Sequence, residues 1–119
     1  VKVVGRIVKT EGAKGQRRMD RAIRAENFWV RRIAMIHQLG WRADTDTARL
    51  FRYADLLAHE KEFFIRKAVG WALRDYAWHD WRVVEKYLRT ARVHLSPLSV
   101  REAMKNFPAE RNGMFASAS

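Results

Sequence analysis

Phe28-Trp29-Val30-Arg31-Arg32 returns 35 residues later as Phe63-Phe64-Ile65-Arg66-Lys67, and a weaker third copy, Leu98-Ser99-Val100-Arg101-Glu102, follows after another 35. In register, the copies align Val30 with Ile65 and Val100, and Arg31 with Arg66 and Arg101. They also align Ile33 with Ala68 and Ala103, and Ala34 with Val69 and Met104. Self-similarity at such a period marks a stacked repeat, in which each unit cannot bury its own apolar face and leans on its neighbour. The spacing predicts an all-α chain, a short α-solenoid of helix pairs whose equivalent positions form ladders on one surface.

Outward from the repeat, the hydrophobic period is helical from Gln16 onward. Six helices in three antiparallel pairs are expected: about 16–25 with 28–39, about 46–58 with 61–77, and about 81–90 with 99–107. Asn27 is a cap for the second helix, Asp44 or Thr45 for the third and Asp80 for the fifth. Ser99 and Glu102 have capping-box spacing, Ser96-Pro97 stops the element before them, and Gly40 ends the second helix.

The first residues read differently. Val1 to Thr10 alternate loosely in a strand-like way, and Glu11-Gly12-Ala13-Lys14-Gly15 breaks the pattern. A lone strand has nothing to pair with in a helical array. Residues 1–15 are therefore expected to be an irregular or flexible arm, residues 16–110 the helical repeat domain of three pairs, and residues 111–119 a tail, frayed from Gly113 to Ser119. The opening Val, in place of Met, suggests a trimmed or partial gene product.

Twenty-four Lys and Arg against thirteen Asp and Glu give a net charge of +11. Residues 1–42 hold eleven basic and three acidic side chains, whereas residues 43–119 hold thirteen and ten. A field of that sign attracts polyanions, nucleic acid first among them; the plainer alternative is a solvated basic surface that aids solubility. With no cysteine, disulfides, thiolate metal sites and thiol nucleophiles are excluded. No apolar run reaches the ~20 residues that span a bilayer, so a soluble cytoplasmic protein with no membrane partner is expected.

The segment 61–77 carries two stripes. Ile65, Val69, Ala72 and Tyr76 are apolar at i, i+4, i+7 and i+11, as a core-facing helix requires. Beside them run Lys67, Trp71, Arg74 and Trp78 at the same spacing. Two indoles interleaved with two cations suit stacking on bases and sugars and pairing with phosphates. They equally suit packing between repeats, with the cations snorkelling around the rings.

Other chemistries find little support. His37, His59, His79 and His94 are scattered without ligand spacing, so no metal and no cofactor is expected. His37 reads as a packing or surface residue. There is no Gly-rich phosphate loop and no Gly-x-Ser-x-Gly elbow. The Arg31/Arg66/Arg101 ladder fits pairing with carboxylates or helix C-termini of an adjacent unit better than phosphate contact.

The string Phe63 to Ala77, with Leu95-Ser96-Pro97-Leu98-Ser99-Val100-Arg101-Glu102-Ala103, Asn27 to Ala34 and His37-Gln38-Leu39, resembles the AlkD-type DNA alkylation repair glycosylases over roughly residues 19–107. The resemblance implies a short right-handed solenoid of HEAT-like repeats that grips duplex DNA, alkylated DNA by preference. It implies excision of cationic alkylated purines such as 3-methyladenine and 7-methylguanine by cleavage of the N-glycosidic bond. The family contacts the sugar and backbone of the lesion without drawing the base into a pocket, unlike flipping enzymes. On the matched motifs, Trp71 takes the place of a sugar-contacting tryptophan, Arg32 that of the active-site arginine and Arg74 that of a DNA-contacting arginine. Gln38 and Lys67 fall in matched segments as groove contacts, and Trp78 joins the DNA-binding set through its stripe. The family's Trp-x-x-x-Asp segment has no counterpart in residues 1–27, where Asp20 lacks a Trp four residues before it. The chain thus resembles the C-terminal half of such an enzyme behind an unrelated front end.

Two function classes remain at this stage: a DNA repair glycosylase or its DNA-gripping half, and a non-catalytic HEAT-type module that binds nucleic acid or protein. The expected first helix offers only Met19, Ala22, Ile23 and Ala25 as a cap. Self-association through that end, or coverage of it by residues 1–15, follows.

Overall fold

The computed structural model describes residues 2–111. Six α-helices follow one another as α1 (Lys2–Glu11), α2 (Ala13–Ala22), α3 (Phe28–Ile36), α4 (Thr47–Leu57), α5 (Phe63–Ala91) and α6 (Pro97–Ala103). Single 3-10 turns lie at Arg42–Asp44, Met104–Asn106 and Ala109–Arg111, and no strand occurs among the described residues. The long α5 is the spine of a body 41 × 29 × 20 Å across, with α3, α4 and α6 all packed against it.

Where an arm was expected over residues 1–15, the described residues 2–15 instead form α1 and the start of α2, the two helices of a hairpin. Val4 and Val8, four residues apart, turn inward, and Val8 is buried in the core. Four β-branched side chains in Val3, Val4, Ile7 and Val8 imitate a strand, but intrinsic propensity is a weak prior that packing overrides. Gly12, at a φ of 63°, makes the corner between α1 and α2. At Gly15 an added Cβ would sit 2.5 Å from the Val8 carbonyl oxygen, so the two helices cross there without side chains between them. The two glycines that looked like a break in the pattern build the hairpin.

Helix starts are set by side chains close to the expected ones. The Asn27 side chain accepts from Trp29 N–H at 2.8 Å and caps α3 as anticipated. The α4 cap is Asp46, which accepts from Arg49 N–H at 3.0 Å, in place of Asp44 or Thr45. Asp44 lies in the preceding 3-10 turn and pairs with Lys9 at 2.7 Å. For α6 the cap is Ser96, accepting from Ser99 N–H at 3.1 Å, with Pro97 in the first turn. Ser99 sits inside α6 and donates to the Arg66 carbonyl at 2.8 Å, so its spacing to Glu102 is no capping box.

The helices expected at 61–77 and 81–90 join directly. Within α5, Asp80 alone leaves the helical region, with φ −150° and ψ 87°, and the axis bends there without a loop. Its extended backbone is the conformation of a residue that starts a helix. The expected tail from Gly113 onward lies outside the described residues.

Burial follows the repeat register in its central column: Ala34, Val69 and Met104 are all core residues, beside Met35, Ile36, Tyr53, Ile65, Leu73 and Leu88. The repeat period also appears as contacts between residues 35 apart. Lys9 donates to Asp44 at 2.7 Å, Gly40 N–H to Asp75 Oδ2 at 2.9 Å, and Lys67 to Glu102 at 3.4 Å. Arg31 donates to the carbonyls of Ala25 and Glu26 at 2.7 and 2.6 Å and to Glu60 Oε1 at 2.8 Å, and Arg66 Nε donates to the Glu60 carbonyl at 2.9 Å. These two members of the arginine ladder tie together carbonyls of the segments between helices and the Glu60 carboxylate, pairing within the protein as expected.

Candidate nucleic-acid interface

Packing α3 against α5 brings together side chains that lie far apart in sequence. The Trp29 and Phe64 rings meet at 5.1 Å between centroids. Further along, the Arg32 guanidinium carbon lies 5.9 Å from the centroid of the Trp71 indole. Arg32 and Trp71 therefore share one surface. Trp71 is 39% exposed and Trp78 65%, so neither indole is withdrawn into the packing between helices.

The cations of the stripe are not loose in solvent. Lys67 Nζ lies 3.4 Å and Arg74 Nη1 3.2 Å from the two carboxylate oxygens of Glu102 on α6, and Lys105 Nζ reaches the same group at 2.8 Å. The Lys105 ammonium, first among these partners, holds the Glu102 carboxyl below the ordinary glutamate range against the opposing effect of burial. At the far end of the stripe, the Arg42 guanidinium carbon lies 4.2 Å from the Trp78 ring centroid. Asp75 also lies 3.7 Å from Arg42 and accepts from Gly40 N–H at 2.9 Å.

Gln38 has a different place from the expected groove contact. It is buried, its amide nitrogen donates to the Asp46 carbonyl at 3.2 Å, and its oxygen accepts from Asp46 N–H at 2.7 Å. Both ends of the amide are consumed in fixing the residue that caps α4. His37 is likewise a core residue, its Nδ1 2.6 Å from the Ala34 carbonyl and its Nε2 2.8 Å from the Gln16 side chain. The other carboxylate of interest, Asp20, receives Arg49 at 2.9 and 3.1 Å, Arg52 at 3.1 Å and the Tyr53 hydroxyl at 2.5 Å. The Arg49 hydrogen bond leads in holding its pKa well below the usual carboxylate range, and Asp20 is thereby a clasp between α2 and α4. Among the described residues, no group of His, Asp or Glu is placed to hold a metal ion, and no helix is long and apolar enough to cross a membrane.

Residues 1–107 match the family described as DNA alkylation repair enzyme. The chain belongs to that family. A solved relative, a predicted DNA alkylation repair enzyme from Enterococcus faecalis, is 32% identical and superposes with a TM-score of 0.79. The alignment covers 89% of this chain and 49% of the Enterococcus protein, so the chain spans about half the length of that relative. None of the curated proteins matches. The DNA alkylation repair family match begins at residue 1 and includes α1 and α2. This corrects the expected unrelated front end: the β-branched start of the chain lies within the family match.

Sequence reasoning missed Arg42, Glu102 and Lys105 as parts of this surface. The signal for one of them was available, because the 35-residue register places Glu102 in line with Arg32 and Lys67, an acid in a column of cations. Arg42 and Lys105 carry no comparable mark, since their positions depend on a turn and on how α6 meets α5.

Proposed function

We propose that this member of the DNA alkylation repair family grips duplex DNA through the surface bearing Arg32, Lys67, Trp71, Arg74 and Trp78. Its role is excision of cationic alkylated purines, 3-methyladenine and 7-methylguanine, by cleavage of the N-glycosidic bond. The observation that carries the reading is the pairing of Arg32 with an exposed Trp71 at 5.9 Å within the segments that bear the family resemblance. As the bond breaks, its electron pair leaves with the base, neutralising the base's charge, and the sugar gains oxocarbenium character. The electron-rich face of an indole stabilises that cation until a solvent water adds at C1′ and gives up its proton to solvent. Arg32 binds the adjacent phosphate and holds the nucleotide against the ring. No cofactor is needed, because an alkylated base already carries the positive charge that makes it a good leaving group.

In this reading the helix pairs form a short right-handed HEAT-like solenoid, which the recurrent contacts between residues 35 apart support. Its working place is the bacterial nucleoid in the cytoplasm. A second reading, a non-catalytic module that binds nucleic acid or protein, is favoured by one observation. Asp20, Asp75 and Glu102 are all engaged by arginine or lysine, so these carboxylates serve the scaffold. Release of methylated base from 7-methylguanine-containing duplex separates the two. Under the first reading the chain releases base, and Trp71→Ala or Arg32→Ala each lowers the rate by about 100-fold, the scale on which one electrostatic contact to a transition state acts. Binding without release supports the module.

A further inference from the structure

We propose that Glu102 is a positioning residue for DNA binding, a buried carboxylate that gathers Lys67, Arg74 and Lys105 from two elements into one phosphate-binding row. The proposal rests on the reading of this surface as a nucleic-acid interface and adds to it the part that sets its geometry.

Glu102 is 5% exposed, yet all three of its cationic partners keep between 39% and 51% of their side chains in solvent. One partner is enough to compensate a buried carboxylate. Three leave the cluster with an excess of two positive charges, directed outward beside Trp71. Long lysine and arginine side chains lose rotamer freedom when a phosphate orders them, and a contact that orders them beforehand removes that cost from binding.

The backbone is shaped for this contact. Lys67, Gly70 and Arg74 fall on one face of α5 at i, i+3 and i+7. At Gly70 an added Cβ would lie 2.6 Å from Glu102 Cβ and 3.0 Å from the Ser99 carbonyl oxygen. Helix α6 therefore presses against α5 at the bare glycine, and Glu102 enters between a cation one turn before it and another one turn after. The repeat register makes the same point, since Arg32 and Lys67 occupy the equivalent positions of the first two copies. The third copy supplies the anion that organises the column.

Charge and position predict opposite signs, which makes the test decisive. Duplex DNA affinity of the full chain is measured against salt concentration for wild type and Glu102→Gln. If Glu102 acted only through its charge, its neutralisation would raise the local excess and give tighter binding with a steeper salt dependence. Positioning predicts about 5-fold weaker binding and a log–log salt slope shallower by about one contact, each phosphate contact contributing ~0.9. Glu102→Asp, which keeps the charge and shortens the reach, falls between the two; if Glu102→Gln fails to fold, an unchanged affinity and slope in Glu102→Asp overturns the proposal. The other buried carboxylate, Glu85, pairs with Arg89 and Arg111, and Glu85→Gln loses stability without altering the slope. Wild type that binds DNA with salt dependence, beside a Glu102→Gln protein of equal or greater affinity and slope, overturns the role of Glu102. Wild type with no salt-dependent binding overturns the nucleic-acid reading itself.

Discussion

The Arg42 guanidinium lies over the Trp78 indole, 4.2 Å from its centroid, on a backbone held at a φ of 54°. A side chain other than glycine meets steric strain in that left-handed region, costing about 1 kcal/mol, and Asp75 and the exposed ring hold it there. Replacing Arg42 by glycine removes the strain and the cation together. The cation–π contact at an exposed site contributes about 0.5–1 kcal/mol, so the two effects nearly cancel in stability. Arg42→Gly is expected to melt within a few degrees of wild type while binding duplex DNA several-fold more weakly. Thermal unfolding measured beside a DNA titration checks the separation; a parallel loss of both would mean that Arg42 is only structural.

Acid should weaken the fold in two stages. Burial, the larger effect, pushes the His37 pKa below its ordinary value near 6.5. Its protonation therefore favours the unfolded chain. The His37 contribution is complete above about pH 6.5 and is lost as pH falls through the lower folded value. Asp20, held ionised chiefly by Arg49, contributes stability present above about pH 4 and lost on further acidification. His37→Gln is expected to flatten the dependence of melting temperature on pH between about 7 and 5 and to leave the later Asp20 step in place. An unchanged slope in that variant would remove His37 from the account.

The outward face of α1 predicts association. Val3 and Ile7, one turn apart, are 68% and 52% exposed, while Val8 on the inward face is buried. Residues 2–11 thus cover the end of the helical body and present a smaller apolar face of their own. Ile7→Lys is expected to leave the unfolding free energy within about 0.5 kcal/mol of wild type, as surface changes do, and to shift sedimentation toward the monomer. Val8→Ala, in contrast, should cost about 2 kcal/mol by removing buried apolar atoms and leaving a cavity. A chain that is monomeric at all concentrations with Ile7 in place would show that this face has no self-partner.

The difference between those two valine positions also shows how far local pattern can be read. Val3, Val4, Ile7 and Val8 fit a strand by composition and a helix by spacing, and composition misled because the strand preference of β-branched residues is weak enough for packing to override. The Asn27 cap was legible, since a capping side chain contacts a backbone group two residues on. Asp46 and Ser96 were missed by one to three residues because several neighbouring polar residues could cap equally well, and only packing of the helix selects one. Gln38 looked like a surface residue; its burial follows from the course of the 40–46 turn, which no local period encodes.

By itself the sequence determined the all-α class, the 35-residue register, the excess of positive charge and the stripe of Lys67, Trp71, Arg74 and Trp78, because these are properties of spacing and composition along one chain. The tertiary structure alone decided that Arg32 meets Trp71, that Arg42 lies on Trp78 and that three cations converge on Glu102. Those relationships join residues 28 to 39 positions apart in all but one case. Their distances depend on how closely α3 and α6 approach α5, and that approach is set by what each helix has at the crossing, above all the missing side chain at Gly70.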